Sequence, residues 1–277
     1  MQGRIIKQIS NDYTIKSQNR EYICKPRGKF RNLGLYLLVG DFVDFDEQNH
    51  YILNIYPRKN ELNRPAIANI DQAVIVTSLK SPDFDANLLD KLLAIIEFNN
   101  IKPIIVFTKS DLLTSDELKQ LTPTMDYYKN IGYDVYMNYD LEHIKGIFKD
   151  KVSVFTGQSG AGKSTLLNNL DNRLNIKTAE ISKALNRGKH TTRHTELLEV
   201  EDGLIADTPG FSAVSFHGMT KSDIRDSFIE FNKYREACKY RDCMHDKEDS
   251  CQIKTLVHAN KILPSRYENY LNFINKG

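Results

Sequence analysis

The sequence predicts an α/β protein in three parts: a small β-barrel first, a helix-covered sheet in the middle, and a helical tail gathered by cysteines. Three observations carry this reading. Short β-branched and aromatic runs crowd residues 1 to about 65, strand and helix patterns alternate from about 66, and three of the four cysteines fall between Cys238 and Cys251. At 277 residues the chain is long enough for two or three domains, each with its own core. Its 38 basic and 36 acidic residues nearly cancel, so the distribution of charge says more than the net +2. No apolar run approaches membrane-spanning length, and the N-terminus lacks the charged-then-apolar order of a signal peptide. A cytoplasmic protein with no membrane partner is expected. The cysteine spacing suits a metal site in a reducing compartment better than a disulfide scaffold.

In the first part, Arg4–Ile9, Tyr13–Ile15, Glu21–Cys24, Leu35–Val39, Phe42–Phe45 and Tyr51–Tyr56 read as strands separated by turns such as Asn11-Asp12 and Gly40-Asp41. Strands this short and this close predict a closed barrel of the OB type, whose strand face and loops bind oligonucleotides. The loop from Lys25 to Arg31 has the matching chemistry. Lys25, Arg27, Lys29 and Arg31 can neutralise phosphates, and Phe30 offers a ring for a base to stack on. Cys24 reads as a buried strand residue, and Arg58 to Pro65 as a polar linker closed by a proline.

The middle part opens with a strand at Ala73–Thr77, a helix from Asn87 to Phe98 and a strand at Pro103–Phe107. At the end of that strand stands Thr108-Lys109-Ser110-Asp111, a variant of the N/T-K-x-D guanine motif. The Asp111 carboxylate can accept from both guanine N1–H and the exocyclic amino group, while the Lys109 stem covers the base. Adenine presents neither donor there, so ATP should be rejected. Further on, Gly157-Gln158-Ser159-Gly160-Ala161-Gly162-Lys163-Ser164-Thr165 fits G-x-x-x-x-G-K-[ST], preceded by a strand at Val152–Phe155 and followed by a helix through Leu170. Strand, glycine loop and helix N-terminus make a phosphate cradle, in which Lys163 reaches the β/γ oxygens and Ser164 can ligate Mg²⁺.

A polar, basic stretch from Ile181 to Thr195 reads as a mobile loop in which Thr191 or Thr192 can close onto Mg²⁺. Then Gly203–Ala206 runs as a strand into Asp207-Thr-Pro-Gly210, the D-x-x-G pattern, with Asp207 in the Mg²⁺ shell and the Gly210 N–H sensing the γ-phosphate. The guanine motif precedes the phosphate loop, the reverse of the ordinary GTPase order, so the domain is circularly permuted. That is physically allowed where the old termini are joined and an exposed loop is opened. Phe211 stands where Ras-like enzymes carry a water-orienting glutamine, and a phenyl ring cannot hold water. His190 is the candidate for that role.

These motifs in this order resemble the RsgA family, also called YjeQ or YloQ, over the whole chain. The residues that carry the resemblance are Thr108-Lys109-Ser110-Asp111, Gly157 to Ser164, Gly188-Lys189-His190-Thr191-Thr192, Asp207-Thr-Pro-Gly210-Phe211 and the cysteine-rich tail. The resemblance implies a bacterial factor that acts late in small-ribosomal-subunit maturation, contacts its rRNA and hydrolyses GTP to GDP on the subunit, with His190 catalytic. Thr108 replaces the commoner asparagine. No partner for guanine O6 is visible near Met137-Asn138-Tyr139.

In the tail, Thr220-Lys-Ser-Asp223 has capping-box form and opens a helix through Ile224, Phe228, Ile229 and Phe231. Cys238, Cys243, His245 and Cys251 then supply three thiolates and an imidazole, a closed shell suited to one structural Zn²⁺. His258 falls outside that spacing. Lys233, Arg235, Lys239, Arg241 and Lys247 surround the site and fit rRNA or ribosomal protein, and a last helix carrying Tyr267, Tyr270, Leu271 and Phe273 packs on it. The reading is therefore an α/β protein with a circularly permuted P-loop GTPase domain (66–215) flanked by an N-terminal OB-like β-barrel (1–65) and a C-terminal α-helical zinc-binding lobe (216–277). A monomer is expected. The rival readings are a GTP-gated rRNA clamp whose hydrolysis is incidental, a P-loop ATPase or nucleotide kinase, and a permuted GTPase of the large subunit.

Overall fold

A computed structural model of the chain describes residues 1–28, 30, 33–63, 66–171, 195–207 and 215–276, with the side chains of Asn63, Asp207 and Lys276 left undescribed. The chain gathers into two compact units, one of residues 1–73, 141–155 and 164–211 and one of 74–140, 156–163 and 212–277.

The first unit is built on alternation. In β2 (Asp12–Ser17) and β4 (Phe42–Asp46) every second side chain is buried, which turns one face of each strand inward. With β1 (Gln2–Ile9), β3 (Arg20–Pro26) and β5 (Tyr51–Ile55) they run in the order β1-β2-β3-β5-β4, and β4 returns antiparallel to β1 to close the barrel. Ile5, Ile15, Cys24, Val43, Phe45 and Ile52 fill it with no exposed surface, so Cys24 is the buried strand residue that was expected. The predicted strand at Leu35–Val39 is absent; only Val39 makes a bridge, to Ile67. Here the backbone finds other partners: the Asp41 carboxylate accepts from Leu38 N–H at 2.7 Å, and Gly40 N–H donates to Ile5.

The predicted linker is also structured. β6 (Glu61–Asn63) pairs antiparallel with β7 (Ala66–Ala68). Before it, Arg58 donates from Nε and Nη2 to the two oxygens of fully buried Asp41 at 2.7 and 2.9 Å, and from Nη1 to Glu61. A bidentate arginine on a buried carboxylate pins what the polar composition suggested would be slack. The unit continues from β1 into a hairpin of β12 (Thr195–Val200) and β13 (Gly203–Asp207), with β11 (Val152–Gly157) parallel to β13.

In the second unit β9 (Lys102–Thr108) runs parallel to β10 (Asp134–Met137), in the order β10-β9-β8 with β8 (Gln72–Ser78). β8 is buried along its whole length, which is why its sequence does not alternate. Asp85 caps α1 (Ala86–Phe98) by accepting from Leu88 N–H, and a Thr114/Glu117 capping box opens α2 (Ser115–Ile131). The expected Thr220/Asp223 capping box opens α5 (Lys221–Asp226). The helix predicted to run on through Phe231 is broken instead. The Ser227 hydroxyl donates back to the Asp223 carbonyl and Phe228 is extended, at φ −91° and ψ 96°, before α6 (Ile229–Tyr234) begins. The break lets Phe228 and Phe231 both join one aromatic cluster with Tyr270.

That cluster also takes in Ala94 of α1, so the tail shares a core with the sheet-covering helix. A buried ion network reinforces the join. Arg266, 1% exposed on α8 (Pro264–Lys276), reaches Asp90 of α1 at 2.5 Å and Glu230 of α6 at 2.5 Å, while Tyr128 and Asn269 donate to Asp90. Removing the cation alone leaves two buried carboxylates without compensation. Arg266→Ala should cost about 3–5 kcal/mol, read as a lower denaturant midpoint for the transition that reports on the tail. Glu230→Gln with Arg266→Met should recover part of that loss.

Candidate functional site

At the end of β11 the chain must turn sharply beside another backbone. An added Cβ at Gly157 would stand 2.0 Å from the Val76 carbonyl oxygen, and φ there is +127°, so only glycine fits. Gly160 and Gly162 also have positive φ, and the loop delivers Lys163 to the start of α4 (Lys163–Leu170). Lys163 Nζ donates to the carbonyls of Gly157 and Gln158 at 2.9 and 2.7 Å, closing the loop on itself. Burial pulls its pKa down to about 8. An anion entering this cradle would meet a lysine held by neutral carbonyls, the weaker competitors. Ser164 and Thr165 follow on the first turn of α4.

The guanine-type motif lies against the same loop. Thr108, 3% exposed, donates from Oγ1 to the Ala161 carbonyl at 2.6 Å. Lys109 sits in the left-handed region at φ 60°, and its Nζ donates to Gly160 O at 2.7 Å and to Ser81 O. Ser110 and Asp111 form a 3₁₀ turn, with Asp111 exposed. The structure thus brings Thr108, Lys109 and the loop from Gly157 to Lys163 together and leaves the Asp111 carboxylate facing solvent. Sequence reasoning missed Ser81, which takes part through its backbone carbonyl and so carries no residue signature. It also missed the Lys80–Glu117 pair at 2.8 Å. Asn138 N–H donates to Phe107 O, which sets the Met137-Asn138-Tyr139 corner beside the end of β9.

His190, Thr191, Thr192 and Gly210 lie outside the described residues, as do Lys29 and Arg31; of Asp207 only the backbone, ending β13, is described. On the barrel, Lys25 is 3.8 Å from Asp12, and the Arg27 guanidinium lies 5.9 Å from the centre of the Tyr51 ring. Phe30 does not offer a stacking face, because it is only 4% exposed. Its N–H donates to Arg27 O and its carbonyl accepts from Leu35 N–H, a turn that accompanies the ring's burial. The exposed aromatic near these cations is Tyr51, at 43%.

The four predicted metal ligands converge. Cys238 follows a 3₁₀ turn at Arg235–Ala237, His245 takes a left-handed backbone at φ 58°, and Cys251 precedes α7 (Gln252–His258). Their ligand atoms all lie within 4.8 Å of one another. His245 Nδ1 is 3.7 Å from Cys238 Sγ and 3.3 Å from Cys251 Sγ, and the two sulfurs are 4.0 Å apart. A tetrahedral shell with Zn–S of about 2.3 Å and Zn–N of about 2.0 Å has edges of about 3.5–3.8 Å, so the donor set fits such an ion. Burial pushes the Cys243 thiol up to about 12 and pulls His245 down to about 4, which keeps the imidazole neutral and ready to ligate. Tyr267 and Tyr270 of α8 donate to the carbonyls of His245 and Met244 at 2.6 and 2.5 Å, so the last helix braces the ligand loop as expected.

The family model for the RsgA GTPase matches residues 55–217, and that for the RsgA N-terminal domain matches residues 2–51. The small ribosomal subunit biogenesis GTPase RsgA 2 of Oceanobacillus iheyensis is 50% identical over 281 residues, covering 99% of this chain and 96% of that protein. The RsgA of Enterococcus faecalis is 46% identical over 280 residues, covering 99% and 94%. Among solved structures, YloQ, a circularly permuted GTPase, superposes with TM-score 0.85 at 36% identity over 99% of this chain and 94% of that one. YjeQ from Thermotoga maritima gives 0.84 at 30% identity, over 99% and 97%.

Two measurements check the chemistry of these sites. A phosphate seated beside Lys163 would keep its ammonium charged, whereas in the free protein burial lets the proton go as pH rises through about 8. GDP affinity should therefore be flat below about pH 8 and fall by up to about tenfold per unit above it. Calorimetry in buffers of different ionisation enthalpy should show one proton taken up per nucleotide bound in that upper range. At the tail, a strong chelator should expand the segment around Cys238 and Cys251 and speed amide exchange in α7, with one equivalent of Zn²⁺ restoring protection.

Proposed function

The chain belongs to the RsgA GTPase family, and from that premise we propose that it binds the small ribosomal subunit and hydrolyses GTP to GDP and phosphate during late maturation of that subunit. The observation that carries the reading is the hydrogen bond from Thr108 to Ala161, which lies between a base-recognition strand and a phosphate loop. The names of the curated relatives supply the ribosomal setting.

In this reading Asp111 accepts from guanine N1–H and the exocyclic amine, and the Lys109 stem covers the base while its ammonium stays on Gly160 O. Lys163 leaves its two carbonyls for the β/γ oxygens. Gly157 through Thr165 wrap the phosphates, and Gly210 N–H reads the terminal one. Ser164, Asp207 and either Thr191 or Thr192 would hold Mg²⁺, which would supply charge neutralisation for the phosphates. His190 orients the attacking water in place of a glutamine, because Phe211 cannot. Cys238, Cys243, His245 and Cys251 would hold one structural Zn²⁺, and four ligands from the chain give that ion a bracing role rather than a share in the chemistry.

The barrel of residues 1–65 and the tail of 216–277 act as grips on rRNA and ribosomal protein around a GTPase domain of 66–215. On the barrel Lys25, Arg27, Lys29 and Arg31 take phosphates, and Tyr51 takes the stacking role in place of Phe30. The protein works in the cytoplasm as a monomer without a membrane partner; no helix among the described residues is long and apolar enough to cross one.

Steady-state GTP turnover with and without purified small subunits tests this. Turnover should be slow alone and strongly stimulated by small, not large, subunits. His190→Ala should lower the stimulated rate by about 100-fold or more while GDP binding is unchanged. Equal turnover with and without subunits would overturn the proposal. If His190→Ala abolished hydrolysis yet the protein still bound and left subunits on schedule, the clamp reading would replace it.

A further inference from the structure

The barrel carries a cleft of about 490 Å³ where the start of β1, the end of β2 and the start of β4 meet. Gln2, Arg4, Lys16, Gln18 and Phe42 are among the residues that line it. β1 and β2 approach closely here because residue 3 is glycine: a Cβ would stand 2.5 Å from Ile15 Cγ2 and 2.8 Å from the Lys16 carbonyl oxygen. The Ser17 hydroxyl donates to Gln2 O at 2.6 Å and locks the same approach.

Arg4 is the unusual group. Its guanidinium carbon lies 4.3 Å from the centre of the Phe42 ring, and its Nε is buried with no hydrogen-bond partner. Several cations of this unit have a carboxylate: Lys7 has Glu196, Lys16 has Glu199, Lys25 has Asp12 and Arg58 has Asp41. Arg4 makes no ion pair among the described residues. Burial draws its pKa down while Asp71 acts the other way, and an arginine remains charged in either case. No carboxylate lines the cleft among the described residues. A buttressed, unpaired guanidinium is organised for a bidentate oxyanion, and leaving its donors unmet in a half-buried place is costly.

We propose that this cleft seats one phosphodiester of a single-stranded RNA, with Arg4 forked on its oxygens and Phe42 holding the guanidinium plane. The proposal rests on reading the barrel as an RNA-binding module. It adds a contact separate from the Lys25–Arg31 loop, so that a strand would be held at two places on one barrel. RNA is favoured over a free anion because the cleft is on the surface of a barrel that already carries Lys25, Arg27 and an exposed Tyr51.

The test uses the full chain and fluorescein-labelled oligouridine, followed by anisotropy over a salt series. Arg4→Gln should weaken binding by about threefold to tenfold and lower the salt slope by about 1. Arg4→Lys keeps the charge without the fork and should retain the slope while losing part of the affinity. It also serves if Arg4→Gln melts early. Neither variant should change GTP turnover in the absence of subunits. Unchanged affinity and slope in both variants would overturn the cleft, and the RNA reading would survive if Lys25→Gln with Arg27→Gln still weakened binding. If wild type failed to bind the oligomer, both would fall. Displacement of the Arg4-dependent component by inorganic phosphate as readily as by uridine oligomers would make the site one for free phosphate and sink the proposal.

Discussion

The hydrogen bond from Thr108 to the Ala161 carbonyl is the constraint on which the nucleotide site depends. A GTPase must read a base and a terminal phosphate at once, and these are recognised by segments about 50 residues apart in this sequence. Thr108 is buried and its hydroxyl has one strong acceptor, so the end of β9 is fixed relative to the glycine loop before any nucleotide arrives. Lys109 adds a second tie, to Gly160. Its aliphatic stem is thereby laid out as a shelf, while its charge is spent on the loop. Lys163 is different: it also binds loop carbonyls, but within its own turn, so a change of partner there leaves β9 in place. One lysine keeps the geometry and the other is free to change partners.

The same logic governs the tail, where a buried ion network supplements the core. Arg266, Asp90 and Glu230 are all nearly inaccessible, and each charge is met by others of the set or by Tyr128 and Asn269. Such a network adds little net stability over an apolar substitute but tolerates only one arrangement, which sets how α6 and α8 lie on α1. The cysteine–histidine cluster gathers the loop from Cys238 to Cys251 in the same way, its ligand atoms all within 4.8 Å of one another. Tyr267 and Tyr270 couple the two, since both stand on α8 beside Arg266 and both hold backbone of the ligand loop.

What was legible in the sequence was local. The glycine loop, the capping box at Thr220, the metal ligands and the strand from Gln72 to Ser78 are set by spacing or by runs of one chemical type, and these survive folding unchanged. The misreadings came where a distant partner decides. Leu35–Val39 looks like a strand until the Asp41 carboxylate claims Leu38 N–H. Arg58 to Pro65 looks like a linker until Arg58 finds Asp41, which nothing in the local pattern announces. Phe30 sits among cations and looks displayed, yet its ring is buried. The helix at Lys221 ends at a serine that bonds its own turn, a choice made by the aromatic cluster rather than by propensity. Ser81 could not have been found at all, because a carbonyl is common to every residue.

These ties have a further consequence inside the second unit. A tail held only by a short helix contact could tilt on α1. Here α5 belongs to the cluster that includes Ala94, and α8 is tied through Arg266 to Asp90, both on α1. Tilting would separate buried charges, at a cost of several kcal/mol. Rigid docking is therefore cheaper than local compliance, and α5, α8 and α1 move as one body.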